Sequence, residues 1–223
     1  MATLLVFGAT GVVGGAVVEE AIRDRRVGRI LTVTRRQVAG RDSRVRPLVH
    51  ADFSDFGAIA GEFGGVDACI YALGMPWPRA KSEAHYREVT LEYAVAAARA
   101  LASVNPSARF CFVSGHGAGR DSRQAWGRIK AEAEDAIAQI YGANARIFRP
   151  GYIYPVRGRD APYWGDAVMR PFMLFRRRLA KYITDSETVA RALLYAALGG
   201  DVPSPAGNPE IQEAADSHCS AQL

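Results

Sequence analysis

The chain has 223 residues, 49% of them hydrophobic and 23% charged, with a formal net charge of +5 and a sequence pI of about 9.3. That is enough apolar material for one full α/β core, and no linker long enough to separate two domains is visible, so residues 1–223 read as a single domain. The basic residues are spread along the chain without a nucleic-acid-binding motif. No stretch approaches the ~18 uninterrupted apolar residues of a membrane span, and the start lacks the basic opening and long apolar segment of a signal peptide; the expectation is a soluble cytoplasmic protein that binds no nucleic acid and is not inserted in a membrane.

Ala2 to Phe7 is a short apolar run that predicts a buried first strand. Val13, Val17 and Ala21 then recur at four-residue spacing, as one face of a helix over 12–24 would. Between them lies Gly8-Ala9-Thr10-Gly11-Val12-Val13-Gly14, and a glycine turn in that context is a dinucleotide signal. Gly8 permits the tight turn, Gly11 lets backbone approach a pyrophosphate, and Gly14 lets the helix pack close to the strand. The amino end of the helix offers N–H groups and a positive dipole to the phosphates.

Further strands are predicted near 29–34, 46–50, 67–73, 108–114 and 145–149, and helices near 55–62, 84–104, 124–141 and 186–198. Alternation at this interval implies right-handed βαβ units, a doubly wound parallel sheet with helices on both faces, and a Rossmann-like α/β fold whose glycine turn lies at the switch point. The second strand ends in Thr34-Arg35-Arg36, with no acidic residue between Asp24 and Asp42 to accept from a ribose 2′-hydroxyl. Two guanidinium groups can pair with a 2′-phosphate instead, so NADP(H) is favoured over NAD(H), unless these arginines are merely solvated. Residues 152–183 are expected to form a small substrate-side cap carrying Tyr163, Trp164, Met169, Phe172, Met173 and Phe175 ahead of Arg176-Arg177-Arg178. Such a surface suits a hydrophobic substrate with an acidic group, or packs on the core with a solvated basic face. From Gly199 the chain is dense in turn formers, Glu210 to Ala215 adds at most a short element, and 200–223 reads as a partly flexible tail. Cys69 and Cys111 fall in strand patterns as core thiols, and Cys219 falls in the tail. His50, His85, His116 and His218 show no metal-ligand spacing, so no metal is expected.

The Gly-x-x-Gly-x-x-Gly spacing resembles the extended and atypical short-chain dehydrogenase/reductases, a group that includes sugar-nucleotide epimerases, small flavin- and quinone-type reductases and some members without redox activity. The resemblance covers nearly all of the chain. It is carried by the glycine turn, Asp52 near the third strand, Ala72-Leu73-Gly74 after the fourth, Ser114 after the fifth, Lys130, and Arg149-Pro150-Gly151 after the sixth. It implies that Gly8, Thr10, Gly11, Val12, Val13 and Gly14 cradle the pyrophosphate, with Arg35 and Arg36 at the adenosine ribose. Asp52 and the Phe53 backbone would meet the adenine, or Asp52 would cap the next helix. Ala72, Leu73 and Gly74 would let backbone pass close to the ribose or simply form a turn. Lys130 would hold the nicotinamide ribose, and backbone at Pro150 and Gly151 would hold the carboxamide.

The family places a Tyr four residues before the Lys, on the same helical face, as its proton carrier; here that residue is Trp126. An indole N–H only donates and does not titrate near neutral pH. Candidates for the missing acid are His116, Tyr154 and Tyr86, each also readable as a loop, packing or pocket-lining residue, while Trp126 can wall the pocket for a planar substrate. Three functions follow from the resemblance. The first is an NADP(H)-dependent oxidoreductase acting on a small hydrophobic carbonyl or alkene through Ser114, Lys130 and a substitute acid. The second is a non-redox isomerase, cyclase or lyase, and the third an NADP(H)-sensing regulator. The helices over 84–104 and 124–141 offer faces for a homodimer.

Overall fold

The structure, a computed structural model, describes residues 1–37, 42–156 and 181–222. Six strands form one parallel sheet in the order β3-β2-β1-β4-β5-β6: β1 (Ala2–Phe7), β2 (Val27–Thr34), β3 (Val45–Val49), β4 (Ala68–Tyr71), β5 (Arg109–Val113) and β6 (Ala145–Phe148). The order reverses between β1 and β4. The crossovers therefore leave in opposite directions, and the loops at the carboxyl ends of these two strands part to leave a crevice.

Strand residues alternate between two cores, as a pleat with side-chain period two requires. Leu5, Phe7, Cys69, Tyr71, Phe110 and Phe112 face one layer with the helices α3 (Tyr93–Val104) and α4 (Ala125–Tyr141). Leu4, Val6, Ala68, Ile70 and Cys111 face the other, with α1 (Val12–Arg23) and two C-terminal helices, α5 (Ser186–Ala197) and α6 (Asn208–Ser220). Both faces of the sheet are covered, which explains its nearly unbroken apolar strands. The first layer is strongly aromatic: Phe7 meets Phe56 edge-on at 5.4 Å between ring centroids, and Tyr71 stacks on Phe110 at 6.1 Å. Cys69 and Cys111 are buried free thiols on opposite faces, and Cys219 is exposed.

Three elements differ from the sequence expectation. The segment expected as a helix over 55–62 is a 3₁₀ helix over Gly57–Phe63, where two glycines in seven residues disfavour a full α-helix. The helix expected over 84–104 is divided into α2 (Glu83–Arg87), a π-helical turn over Glu88–Glu92, and α3. The wider turn brings Tyr86, Thr90 and Ala94, spaced four residues apart, all to the buried side. The third difference is the tail, where α6 runs for 13 residues. Pro209 stands in its first turn, and the Glu210 carboxylate accepts from the Gly207 N–H at 2.9 Å. Ile211, Ala214, Ala215 and His218 form the buried stripe that docks the helix onto α5. A short strand β7 (Tyr152–Tyr154) pairs in parallel with β8 (Ile183–Asp185) beside the main sheet; the apolar cap residues expected between Tyr163 and Arg178 lie outside the described residues.

The base of α6 encloses a polar cluster. His218 is fully buried, its Nδ1 is 3.2 Å from Arg26 Nη2, and its Nε2 is 3.5 Å from Asp24 Oδ2. Burial alone would raise the Asp24 carboxyl, but hydrogen bonds from Arg26 outweigh it and bring the group down to about 2. Burial and the neighbouring Arg26 guanidinium push His218 below its usual range. Because the Arg26 guanidinium can only donate, Nδ1 acts as the acceptor and the ring is neutral. The unfolded chain therefore takes up the imidazole proton first, and stability falls as pH drops below about 6.5. In urea denaturation, the wild type is expected to lose more stability between about pH 7.5 and 5.5 than His218→Gln does; parallel losses would exclude His218 as the cause.

Candidate functional site

The glycine turn after β1 is built by three close backbone approaches. Gly8 has φ +80°, and a Cβ on it would lie 2.6 Å from the Ala72 carbonyl oxygen, so the turns after β1 and β4 touch. A Cβ on Gly14 would lie 2.2 Å from the Gly8 carbonyl oxygen, which brings α1 directly against the strand end. Gly11 is the N-cap of α1, and a Cβ there would meet only the Gly8 oxygen, at 3.2 Å. No side chain caps α1, and no acidic residue stands in its first turn. Its amino end is thus open, electropositive and free of a competing carboxylate, which fits a pyrophosphate. Thr10 and Gly11 are exposed there, Val12 and Val13 are half-buried, and Val13 packs on the second core.

Arg35 and Arg36 are exposed just beyond β2, where the Thr34 hydroxyl donates to the Arg36 carbonyl at 2.9 Å and fixes the turn. Asp52 is exposed; its Oδ1 accepts from the Ser54 N–H at 2.9 Å and the Ser54 hydroxyl at 2.5 Å, and these bonds hold its carboxyl below the usual range. Phe53 turns inward and is buried with Phe7 and Phe56. Ala72 continues the strand pairing through its N–H to the Phe7 carbonyl at 3.1 Å, and Leu73 and Gly74 leave toward the surface.

Ser114 follows β5, and its N–H donates to the Phe148 carbonyl at 2.8 Å. Its hydroxyl is buried without a partner among the described residues. Lys130 Nζ donates to the Ser114 carbonyl at 3.0 Å, and its side chain runs along Gly115, within 3.5 Å of where a Cβ would be. Burial lowers the Lys130 ammonium to about 8, against the opposing field of Glu134 one helical turn on. The Glu134 carboxylate is itself gripped by Arg149, whose Nε donates to it at 2.9 Å while Nη2 bonds its second oxygen. That fork ties the chain beyond β6 to the helix that carries Lys130.

Trp126 lies one turn before Lys130 with its ring tip against Gly117, which has φ +89°; a Cβ there would be 3.0 Å from the ring. The His116 N–H donates to the Pro150 carbonyl at 2.8 Å, and its exposed ring meets Tyr182 edge-on at 5.6 Å. Gly151 has its Cα against the Tyr182 backbone, where a Cβ would be 2.2 Å from the carbonyl oxygen, and its N–H is spent on Asn208 Oδ1 at 2.9 Å. That N–H is therefore engaged within the protein. Tyr86 is only 2% exposed, packed edge-on against Trp77 at 5.0 Å, and burial raises its phenol. Tyr154 sits in β7, in register with Asp185.

Sequence reasoning missed Glu134, Tyr182 and Asn208. Glu134 carried a signal, since it stands four residues after Lys130 and can share its helical face. Asn208 and Tyr182 carried none, because only the docking of the C-terminal segments brings them to residues 149–151. Among the described residues no group of three His, Cys, Asp or Glu could hold a metal ion, and no helix is long and apolar enough to cross a membrane. A surface groove of about 690 Å³ along the outer side of α3, lined by Asp55, Leu91, Val95 and Arg99 among others, contains none of the candidate site residues.

Known proteins agree with this architecture. Residues 8–154 match the model of a family described as NAD(P)H-binding. The mitochondrial protein fmp52 of Aspergillus clavatus is 24% identical over 217 residues, covering 92% of each chain. Its counterpart in Emericella nidulans is 28% identical over 221 residues, again covering 92% of each. Among solved structures, a short chain dehydrogenase from Burkholderia cenocepacia in complex with NADP has a TM-score of 0.67 at 18% identity, covering 99% of this chain and 94% of its own. A UDP-glucuronic acid 4-epimerase from Bacillus cereus in complex with NAD has a TM-score of 0.65 at 14% identity, covering 92% and 77%. The resemblance to short-chain dehydrogenases and epimerases and the Rossmann-like fold are borne out. The expectation of a cytoplasmic location is overturned, because the fungal relatives are named as mitochondrial. The composition and apolar runs of the sequence do not separate the two compartments.

The two glycines that differ in surroundings are expected to differ in effect. Gly14→Ala drives a methyl group into the Gly8 carbonyl, and a stability loss of about 1–3 kcal/mol is expected together with loss of nucleotide binding. Gly11→Ala has only one near neighbour and is expected to keep its melting temperature within about 2 °C while weakening nucleotide binding. Thermal melts and nucleotide titrations on both variants check this, and equal melting losses would contradict it.

Proposed function

We propose, on the premise that the chain belongs to the NAD(P)H-binding family its residues 8–154 match, that it is an NADPH-dependent oxidoreductase acting on a small hydrophobic carbonyl or activated alkene. The observation that carries this reading is the open amino end of α1 at the switch point, on the same sheet edge as the buried, unpartnered Ser114 hydroxyl and the Lys130 ammonium. One feature binds a dinucleotide phosphate, and the other offers a polar oxygen site at the end of a strand two positions along the sheet.

The α1 amino end would take the pyrophosphate, Arg35 and Arg36 the 2′-phosphate, and Asp52 the adenine amino group. Ala72 to Gly74 would border the adenosine ribose, and Lys130 would bond the nicotinamide ribose. The segment Arg149-Pro150-Gly151 would frame the nicotinamide, held from behind by Glu134 and Asn208. When bound, the cofactor supplies a hydride; the protein's part is to fix the acceptor and exclude water. Trp126, His116 and Tyr182 present aromatic surface to it. Arg35 and Arg36, exposed just beyond β2, support the choice of cofactor, and the names of the fungal relatives support a mitochondrial setting.

Trp126 favours a second reading, a non-redox isomerase, cyclase or lyase, because an indole cannot exchange a proton as the family phenol does. Two experiments decide. Fluorescence titration is expected to show tighter binding of NADPH than NADH, and the double variant Arg35→Ala/Arg36→Ala to lose about tenfold or more in NADPH affinity with little change for NADH. Trp126→Tyr is expected to raise NADPH-dependent carbonyl reduction. If neither nucleotide binds, the oxidoreductase reading falls and the second is left.

A further inference from the structure

The structure displaces or occupies the side chains that the sequence offers as substitutes for the absent phenol. Tyr86 is buried against Trp77, Tyr154 is held in the β7–β8 pair, and the His116 ring stands exposed and edge-on to Tyr182. Lys130 is different. Among the described residues its ammonium makes one hydrogen bond, to the Ser114 carbonyl at 3.0 Å, and has two further N–H groups to give. The neighbouring Ser114 hydroxyl is buried and has no partner among the described residues. Both donors therefore belong to the end of β5, one being the Ser114 hydroxyl and the other bonded to the Ser114 carbonyl.

We propose that Lys130 is itself the proton donor in carbonyl reduction, with the Ser114 hydroxyl hydrogen-bonded to the same substrate oxygen; this rests on the oxidoreductase reading. The carbonyl carbon gains a hydride whose two electrons come from NADPH, oxidised to NADP⁺. The C=O π pair moves to oxygen, which forms its O–H bond with the Lys130 proton as the N–H bond breaks. The neutral amine then recovers a proton from water.

The surroundings suit that task. Burial brings the ammonium down to about 8, from about 10.4 for a free lysine, so it can both hold and release a proton near neutral pH. Glu134, on the same helix, opposes the drop, and its carboxylate is shared with Arg149 from beyond β6. From α2, Arg87 is engaged with Glu132 and not with Lys130. The donor form is full below about pH 8 and is lost as pH rises through it.

The chain has three lysines, and Lys81 and Lys181 are exposed, so ¹³Cε-lysine labelling gives a three-signal titration in the full protein. The Lys130 signal, identified by its loss in Lys130→Arg, is expected to titrate near 8. With phenanthrenequinone as the carbonyl probe, turnover is expected to fall above about pH 8. Lys130→Arg keeps the positive charge but does not give up a proton; at NADPH concentrations that saturate the variant it is expected to lose on the order of 100-fold in turnover. A Lys130 signal that titrates near ~10.4, the free-lysine value, overturns the proposal. So does full turnover in Lys130→Arg, or a wild type that binds NADPH and leaves the quinone unreduced. Absence of NADPH binding, read separately by fluorescence, fells the oxidoreductase reading as well.

Discussion

Backbone meets backbone at the carboxyl ends of β1 and β4, and the remainder of the site is arranged around that approach. Gly8 sits against Ala72, and Gly14 sits against Gly8, at separations that no side chain would permit. The first contact brings the two diverging loops together at the switch point. The second aims the amino end of α1 across the gap between them. Everything a nucleotide could use on this side follows from these missing methyl groups, because moving either loop outward by the width of a methyl would carry the helix N–H groups away from the crevice.

The opposite side of the crevice is held by charge and by borrowed segments. Arg149, Glu134 and Lys130 form a chain of alternating sign in which each buried charge has a partner, and burial without those partners would be costly. The C-terminal helix contributes from the far end of the sequence. Ala206 accepts from the Arg149 N–H at 2.7 Å, and Asn208 accepts from Gly151 at 2.9 Å, so residues 149–151 are pinned by the segment that looked like a tail. The same segment pairs with the edge of β6 through the Phe148–Ala206 bridge and leaves that strand less open to other chains. Support at the sheet edge and placement of the loop are thus one arrangement.

Legibility in the sequence followed the range of the interaction. The glycine turn, the alternation of strands and helices, and the one-turn spacing of Trp126 and Lys130 are local patterns, and they appear where the sequence placed them. The π turn at Glu88–Glu92 was hidden because its residues alone are ordinary helix formers; the shift in phase arises from the need to bury Tyr86 and Thr90 along with Ala94. Helix α6 was understated because Gly, Pro and Asn near residue 207 signal a turn and also a helix start, and only the face offered by α5 decides between them. Tyr86 is an instructive case: its position on the helix was read correctly, but its burial behind Trp77 depends on the loop after β4.

The sequence by itself determined the parallel doubly wound sheet, the position of the glycine cradle, and the residue types at the ends of the second, fifth and sixth strands. These depend on φ freedom, hydrophobic period and spacing, which are properties of neighbouring residues. Tertiary structure alone decided which polar groups remain unspent. Among the described residues Ser114 keeps a buried hydroxyl without a partner, Lys130 keeps two N–H donors and a lowered ammonium pKa, and Gly151 has its N–H committed to Asn208. The physical reason is that hydrogen-bond satisfaction and desolvation depend on what packs around a group, and those neighbours come from segments distant in the chain.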